Sequence, residues 1–359
     1  MSSETRTFTA HCLCKSSTLS FTIPTTSQPL PTHFCHCSIC RRTHGTLAAI
    51  HSPIPVPETA RPLLDTMTAY ASSERVVRYF CSICGAHMLD KSRASDVEGE
   101  GEGEGWIWNV ATSLVDAEEG VWQFTQHINV GSTVDGGLAT WLPEIKSSKL
   151  ATWNGNEGNE TQHPSGDWVA PARSSPGPSS GEDTSEVQTL HAHCHCNGIS
   201  FSIQRPRSTR VFENMPSSLT PNDKTKWYAS NCVCTSCRLC SSSAIFSWAF
   251  PSIDHITLSD GSAYPPTHVF GTIKKYCSSP GVTRTFCGKC GAVVAYACDE
   301  RPGMVDVAVG LLDAEEGVRA EGWLEWRVGR CGFEEDCGWE GVLGGLKMGM
   351  RGWAERDGG

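Results

Sequence analysis

Long apolar runs are missing from this sequence. No segment approaches the ~18 consecutive apolar residues that cross a bilayer as a helix, so we expect no membrane partner. The first residues, MSSETRTFTA, also lack the apolar centre of a secretory signal. We therefore expect a cytoplasmic protein, with the nucleus as the alternative compartment.

A surplus of basic residues is missing as well. The chain has 29 Lys and Arg against 39 Asp and Glu, which gives a formal net charge of −10. Nucleic-acid-binding proteins usually present a basic face, so nucleic acid is an unlikely partner. The sequence also shows no Ser-His-Asp arrangement and no phosphate-binding loop. It therefore does not indicate catalysis by a serine nucleophile or binding of a nucleotide phosphate.

Cysteine, in contrast, is abundant, with 19 residues in a chain of 359. Disulfides are rare in the reducing compartments that we expect for this protein. The cysteines are also tightly clustered, which is typical of metal ligands and not of scattered buried thiols. We therefore interpret most of them as thiolate ligands.

The cysteine clusters occur twice in the same order. Each copy has a C-x-C pair, then a C-x-C-x-x-C triplet, then a C-x-x-C-G pair. The flanking residues repeat too, since RYFCSICGA at 78–86 matches RTFCGKCGA at 284–292, and DAEEG occurs at 116–120 and 313–317. Such self-similarity indicates a tandem duplication.

The duplication defines the domains. We predict a first copy at residues 5–152, a second copy at 188–330 and a glycine-rich tail at 331–359. Residues 153–187 are rich in Gly, Ser, Pro, Asn and acidic residues, which predicts a flexible linker. Alternating segments such as STLSFTI and GISFSI predict a mainly β fold, and no segment shows the apolar period of a long helix.

The outer cysteine pairs are suited to closed zinc sites. A C-x-x-C turn supplies two thiolates, and the glycine after it permits the positive φ that such turns often need. The C-x-C pair at the start of the same copy is the economical source of the other two ligands. We predict one zinc ion at Cys12, Cys14, Cys81 and Cys84, and another at Cys194, Cys196, Cys287 and Cys290.

The central triplets offer only three thiolates each. Three protein ligands and one open position are the pattern of a catalytic zinc site, and three thiolates favour the binding of a substrate sulfur over the activation of water. The ligands are Cys35, Cys37 and Cys40 in the first copy and Cys232, Cys234 and Cys237 in the second. We thus expect up to four zinc ions per chain.

A local side chain is the alternative fourth ligand of each triplet. His36 or His44 would complete a structural site in the first copy, and Cys240 would complete one in the second. Cations beside the triplet should compensate the thiolate charge, and Arg41, which follows Cys40, is the candidate for that role at the catalytic site.

The order C-x-C, then C-H-C-x-x-C-R-R-x-x-G, then F-C-x-x-C-G resembles the glutathione-dependent formaldehyde-activating enzyme family, which includes centromere protein V. The resemblance covers both copies. It implies a mostly β fold built around zinc, with structural zinc at the outer pairs and catalytic zinc at the triplet. It further implies a zinc-dependent carbon–sulfur lyase that acts on a glutathione adduct such as S-hydroxymethylglutathione, with a small thiol as the binding partner.

The second copy departs from this pattern. It has Leu239 where the first copy has Arg42, and Ser242 where the first copy has Gly45. These differences favour the first copy as the catalytic one, with Cys35, Cys37, Cys40 and Arg41 as its catalytic residues. The alternative function is a non-catalytic, zinc-stabilised module that binds chromatin or cytoskeletal proteins.

Overall fold

The computed structural model describes residues 4–55, 64–93, 105–156 and 187–357. Most of the predicted linker, at 157–186, and most of the acidic EGEGEGEG segment lie outside these residues. The mainly β fold with two β domains is confirmed. None of the helices in the described ranges has the length and apolar character needed to span a bilayer.

The described part of the first copy consists of twelve strands and two short helices. Its strands are β1 (Thr5–His11), β2 (Thr18–Pro24), β3 (Leu30–Cys35), β4 (Ala49–Ile54), β5 (Met67–Ser73), β6 (Val76–Cys81), β7 (His87–Arg93), β8 (Trp106–Ala111), β9 (Trp122–Ile128), β10 (Glu144–Ile145), β11 (Ser148–Lys149) and β12 (Ala151–Thr152). Its helices are α1 (Ser38–His44) and α2 (Gly137–Trp141). An eight-stranded sheet has the order β12-β9-β3-β4-β8-β7-β6-β5, and β1 pairs with β2 in a separate hairpin.

The second copy and the tail supply the remaining described elements. The strands are β13 (Thr189–His193), β14 (Ser200–Gln204), β15 (Trp227–Cys232), β16 (Phe246–Ala249), β17 (Ile256–Leu258), β18 (Ile273–Ser279), β19 (Val282–Cys287), β20 (Val293–Cys298), β21 (Asp306–Ala308), β22 (Leu312–Asp313) and β23 (Leu324–Trp326). The helices are α3 (Thr235–Ser241) and α4 (Glu340–Asp357). A seven-stranded sheet has the order β18-β19-β20-β21-β16-β15-β23, beside a four-stranded sheet β17-β14-β13-β22.

The strand patterns follow from the sequence. In β2, Leu19, Phe21 and Ile23 are buried while the residues between them are more exposed, as the alternation of STLSFTI predicts. Phe21 stacks on Phe8 of the paired strand with the ring centroids 5.7 Å apart. Alternation thus gives the hairpin one apolar face for the core.

The two copies have the same strand register around the triplets. Cys35 at the end of β3 pairs with Ala49 of β4, and Cys232 at the end of β15 pairs with Phe246 of β16. The strands that carry the C-x-x-C turns match too, because Arg78 pairs with Asp90 and Arg284 pairs with Tyr296. Residue equivalences between the copies can therefore be read from the sheets.

The copies contact each other through matching turns. Gly85, with φ +81°, lies so close to the Phe286 ring that a Cβ at this position would be 2.4 Å from it. Gly291, with φ +80°, lies against Phe80 in the same manner. The glycines that allow positive φ after each C-x-x-C turn therefore also let the two domains approach closely.

The tail contains a long helix that the sequence analysis missed. Helix α4 is 18 residues long, although no long helical period was expected. Its buried residues are Val342, Leu346, Met350 and Trp353, which form a single stripe. This stripe packs on the first copy, where the Trp353 ring centroid lies 5.4 Å from that of Trp141.

Glycine hides this helix in the sequence and is needed in the structure. Five glycines in α4 give it the composition of a loop. A Cβ at Gly345 would lie 2.2 Å from the Glu144 carbonyl oxygen, and one at Gly349 would lie 2.2 Å from that of Trp141. Helix α4 can therefore approach the first copy only because side chains are absent there.

Candidate metal centres and active site

The outer cysteine pairs meet at one point in each copy. The four sulfur atoms of Cys12, Cys14, Cys81 and Cys84 all lie within 4.8 Å of one another, and so do those of Cys194, Cys196, Cys287 and Cys290. The Cys12–Cys14 and Cys14–Cys81 sulfur separations are 3.4 and 3.6 Å. Tetrahedral Zn–S bonds of ~2.3 Å would place the sulfurs about 3.8 Å apart, so the four residues fit a zinc ion with little adjustment.

Local hydrogen bonds favour the thiolate form of Cys81 in the first cluster. The Ile83 backbone N–H donates to Cys81 Sγ at 3.4 Å, and the Ser16 hydroxyl lies 3.2 Å from the same sulfur. The pKa of Cys81 is lowered far below its usual value, first by Cys12 and Cys84 and then by Ser16. A cysteine that is held as a thiolate is ready to bind a metal cation.

Each triplet lies at a strand-to-helix turn. Cys35 ends β3, the Cys37 sulfur accepts the Cys40 N–H at 3.3 Å as the cap of α1, and Cys40 lies in the first helical turn. The helix ends at Gly45, where φ is +76°. Strand end, cap and first turn bring the three sulfurs within 4.8 Å of one another. The same arrangement holds Cys232, Cys234 and Cys237 in the second copy.

The local alternatives for a fourth ligand do not join the three sulfurs, and each makes a contact elsewhere. His36 Nε2 lies 2.9 Å from His127 Nδ1, and His44 Nδ1 lies 3.0 Å from the Cys40 carbonyl oxygen. Cys240 Sγ donates to the Cys237 carbonyl at 3.4 Å. Within the described residues, no His, Cys, Asp or Glu joins either set of three sulfurs within 4.8 Å.

Arg41 is buried, but its described hydrogen bond does not go to sulfur. Its Nε donates to the His36 carbonyl oxygen at 3.2 Å. Its pKa is lowered to about 10, first by burial and next by the charge of Arg42. The role that the sequence analysis gave to Arg41 therefore stays a prediction.

A different arginine contacts the triplet sulfur. Arg78 is buried on β6, and its Nη2 donates to Cys40 Sγ at 3.2 Å. Its equivalent, Arg284, lies 3.4 Å from Cys240 Sγ and 3.9 Å from Cys237 Sγ. The sequence analysis missed both, although the matching segments RYFC and RTFC place an arginine three residues before each C-x-x-C turn.

Arg78 also contacts Asp90 and Ser72, and together they form a buried polar network. Its Nη1 lies 3.8 Å from Asp90 Oδ2, and Ser72 Oγ accepts from its Nε at 3.2 Å. The pKa of Cys37 is lowered, first by hydrogen bonds from Cys35 and Cys40 and in part by the Arg78 charge. Arg78 therefore supplies the compensating cation that three thiolates need in a buried site.

Three histidines pack next to this network in the first copy. The His44 ring centroid lies 4.2 Å from that of His87 and 5.1 Å from that of His51. Burial is the first cause that lowers the pKa of all three, that of His87 to about 3, so the rings are neutral at neutral pH. At the equivalent positions the second copy has Ser241, Trp248 and Val293.

The two triplets differ in exposure. Cys35 and Cys37 are half-buried, whereas all three cysteines of the second triplet are buried. The tail contributes to this burial, since Gly332 bridges to Cys232 and Asp336 accepts the Thr235 N–H at 2.9 Å. The first triplet is therefore the more exposed of the two.

One comparison with known proteins, the match to a family model, agrees with the cysteine pattern. A family model described as glutathione-dependent formaldehyde-activating enzyme matches residues 7–100 and 219–325, together more than half of the chain. Among solved structures, the crystal structure of a Rhodobacter sphaeroides protein is 17% identical over 38% of this chain and 99% of that chain, with a TM-score of 0.25. No curated protein matches the chain significantly.

Proposed function

The chain belongs to the glutathione-dependent formaldehyde-activating enzyme family, and we propose that its first copy joins a small thiol to a carbonyl carbon and cleaves the product again. In the forward direction the thiol sulfur forms a bond to the carbonyl carbon, and the thiol proton ends on the carbonyl oxygen. The reverse step breaks the carbon–sulfur bond and returns both reactants. Glutathione is the proposed thiol, and S-hydroxymethylglutathione is the proposed adduct.

The single observation that carries this proposal is the incomplete set of ligands at Cys35, Cys37 and Cys40. Within the described residues the set has three sulfurs, and two of these cysteines are accessible to solvent. A closed structural site would need a fourth ligand from the chain. An accessible three-ligand site instead leaves a position for a substrate sulfur.

The donor set fits zinc. A zinc ion held by Cys35, Cys37 and Cys40 would supply the positive charge that lowers the pKa of a bound thiol and so keeps it nucleophilic. Arg78 holds the Cys40 sulfur in place and balances part of the thiolate charge. Its burial makes this contact strong, because a buried charge pair is little screened by water.

We propose a structural role for the second triplet and for the two outer clusters. The second triplet is more buried than the first and the tail packs beside it, so a substrate has less access to it. The chain would then bind up to four zinc ions, of which one serves the reaction.

The reaction is tested with a variant in each copy. Carbon-13 formaldehyde and glutathione are mixed, and the rate at which free aldehyde and adduct interconvert is followed by NMR exchange spectroscopy. We expect the wild-type chain to raise this rate above the uncatalysed rate. Cys37→Ser should abolish the increase, and the equivalent Cys234→Ser should keep most of it.

Two results would contradict the proposal. A wild-type rate equal to that of Cys37→Ser would remove the activity for this pair of reactants. Loss of activity in Cys234→Ser alone would place the chemistry in the second copy. The zinc content of each variant, measured on the same samples, shows whether a lost ion accounts for the change.

A further inference from the structure

Buried nitrogen atoms without hydrogen bonds lie beside the first triplet. They include His44 Nε2, His87 Nδ1 and Arg78 Nη1, whose side chains are almost fully buried; Arg78 Nη1 lies 3.8 Å from Asp90 Oδ2, beyond hydrogen-bond distance. The other terminal nitrogen of Arg78 donates to Cys40 Sγ, His44 Nδ1 lies 3.0 Å from the Cys40 carbonyl oxygen, and His87 stacks on His44, so all three side chains lie near the proposed reaction site. Buried polar atoms in native proteins nearly always have a partner, so unpaired ones indicate a missing water or ligand.

The hydrogen bonds of the two histidines determine which of their atoms can accept. His44 Nδ1 lies 3.0 Å from the Cys40 carbonyl oxygen, and His87 Nε2 lies 2.8 Å from the Thr43 carbonyl oxygen. A carbonyl oxygen only accepts, so each of these nitrogens carries the ring proton. His44 Nε2 and His87 Nδ1 are therefore lone-pair acceptors.

This combination of atoms suits a hydroxyl group. Either of the two acceptors can take the hydroxyl proton, and Arg78 Nη1 can donate to its oxygen. A thiol can donate its proton in a hydrogen bond, whereas a thioether has no proton to donate. An alkyl group neither donates nor accepts. The product of thiol addition to a carbonyl carries such a hydroxyl on the carbon next to sulfur.

We infer that His44, His87 and Arg78 line a small chamber that binds the hydroxyl of the thiol–carbonyl adduct, with His44 and His87 as positioning residues. This inference rests on the proposed function and deepens it. The rings of His44 and His87 are almost fully buried and stack with their centroids 4.2 Å apart, so we expect the chamber to favour a small carbonyl compound over a bulky one.

The second copy lacks this chamber although it keeps the arginine. Val293 stands in place of His87 and Ser241 in place of His44. Trp248, in place of His51, is 4% exposed, and its indole N–H is among the groups that lower the pKa of Cys237. The second copy therefore has no imidazole acceptor beside Arg284.

Two variants of His44 separate its roles. His44→Asn keeps an amide nitrogen near the Nδ1 position, which can still donate to the Cys40 carbonyl, but it has no acceptor at the Nε2 position. His44→Gln carries an amide oxygen near the Nε2 position. We expect His44→Asn to lower kcat by at least about tenfold with little change in the KM for glutathione, and His44→Gln to keep most of kcat.

Any other order of the two variants overturns the inference. Greater activity in His44→Asn than in His44→Gln would mean that the bond to the Cys40 carbonyl is all that matters. Equal loss in both would mean that only the shape of the ring matters, and equal retention would mean that His44 has no role.

Nitrogen-15 NMR of the histidines gives a readout that does not depend on turnover. Formaldehyde with glutathione should shift the His44 Nε2 and His87 Nδ1 resonances towards those of hydrogen-bonded nitrogen. S-ethylglutathione, which has a methyl group in place of the hydroxyl, should occupy the site and leave them unchanged. Exchange activity in the wild type without these shifts would refute the chamber and leave the proposed function intact, whereas absent activity would remove both.

Discussion

The triplets Cys35–Cys37–Cys40 and Cys232–Cys234–Cys237 lie at equivalent strand-to-helix turns, and their sulfurs are brought together in the same way. An arginine from the neighbouring hairpin faces sulfur in both copies. The surroundings differ, because the first triplet is half-buried and borders three histidines while the second is buried and borders Trp248.

This difference separates the parts that fold the domain from the parts that would act on a substrate. The cysteines, the helix caps and the arginine recur in both copies, since each copy must gather thiolates at the same turn. The residues at the positions of His44, His51 and His87 face the space beside the triplet, and they decide whether it is polar or filled.

The largest expected effect concerns the clusters in which the copies are alike. We expect Cys81→Ser and Cys287→Ser each to lower the free energy of unfolding by several kcal/mol, because a structural zinc site contributes ~10 kcal/mol. Chemical denaturation with zinc analysis measures both changes. Cys277→Ser is the matched control, since Cys277 is exposed and lies in none of the four clusters. Unchanged stability in only one of the two cluster variants would show that the copies differ in their structural sites.

Removal of the two arginines should separate the copies by activity. We expect Arg78→Met to reduce kcat by about 100-fold or more, which is typical for the loss of one preorganised electrostatic contact. Arg284→Met should leave kcat within about threefold, because the second triplet is buried. The exchange assay measures both variants, and zinc content controls for loss of the ion. Equal losses of activity would mean that both copies catalyse.

An exchange of side chains tests the space beside each triplet. His51→Trp places in the first copy the side chain that the second copy has at this position, and it fills the space next to His44 and Arg78. We expect it to lower activity by at least about tenfold while the zinc content is unchanged. The reciprocal Trp248→His should not create activity, because Ser241 and Val293 offer no imidazole beside it. Activity in Trp248→His after Cys37→Ser has silenced the first copy would overturn the distinction.

The smallest effect concerns the cover of the second triplet. Asp336 in the tail accepts from the Thr235 N–H at 2.9 Å and from its hydroxyl at 2.9 Å. We expect Asp336→Ala to destabilise the protein by about 1 kcal/mol, as for the loss of a helix cap. Reaction of the second-triplet cysteines with a thiol reagent should become faster, and mass spectrometry would locate the label. A rate equal to that of the wild type would show that the tail does not limit access.

The metal-ligand pattern could be predicted because it is local. Cysteines two or three residues apart must lie on one turn, and the repetition of the pattern shows which clusters form one unit. The grouping of Cys12 and Cys14 with Cys81 and Cys84 was the economical choice within one copy, and the structure brings these four residues together. Alternating strands such as β2 could be predicted for the same reason, since alternation is a property of neighbouring residues.

Arg78 and the histidines could not be predicted in this way. Arg78 reaches Cys40 from a strand 38 residues away, and no spacing rule connects them. Helix α4 was missed because its glycines have poor helix propensity. These glycines allow close contact with Trp141 and Glu144 of the first copy. A sequence read segment by segment does not reveal that contact.

The sequence by itself determined the duplication, the β character and which cysteines lie on one turn, because these depend on short spacings and local alternation. The tertiary structure decided which triplet is accessible, which arginine faces the sulfurs and what fills the space beside them. Those properties depend on side chains from distant strands and from the tail, and only the packing of the two copies brings them together.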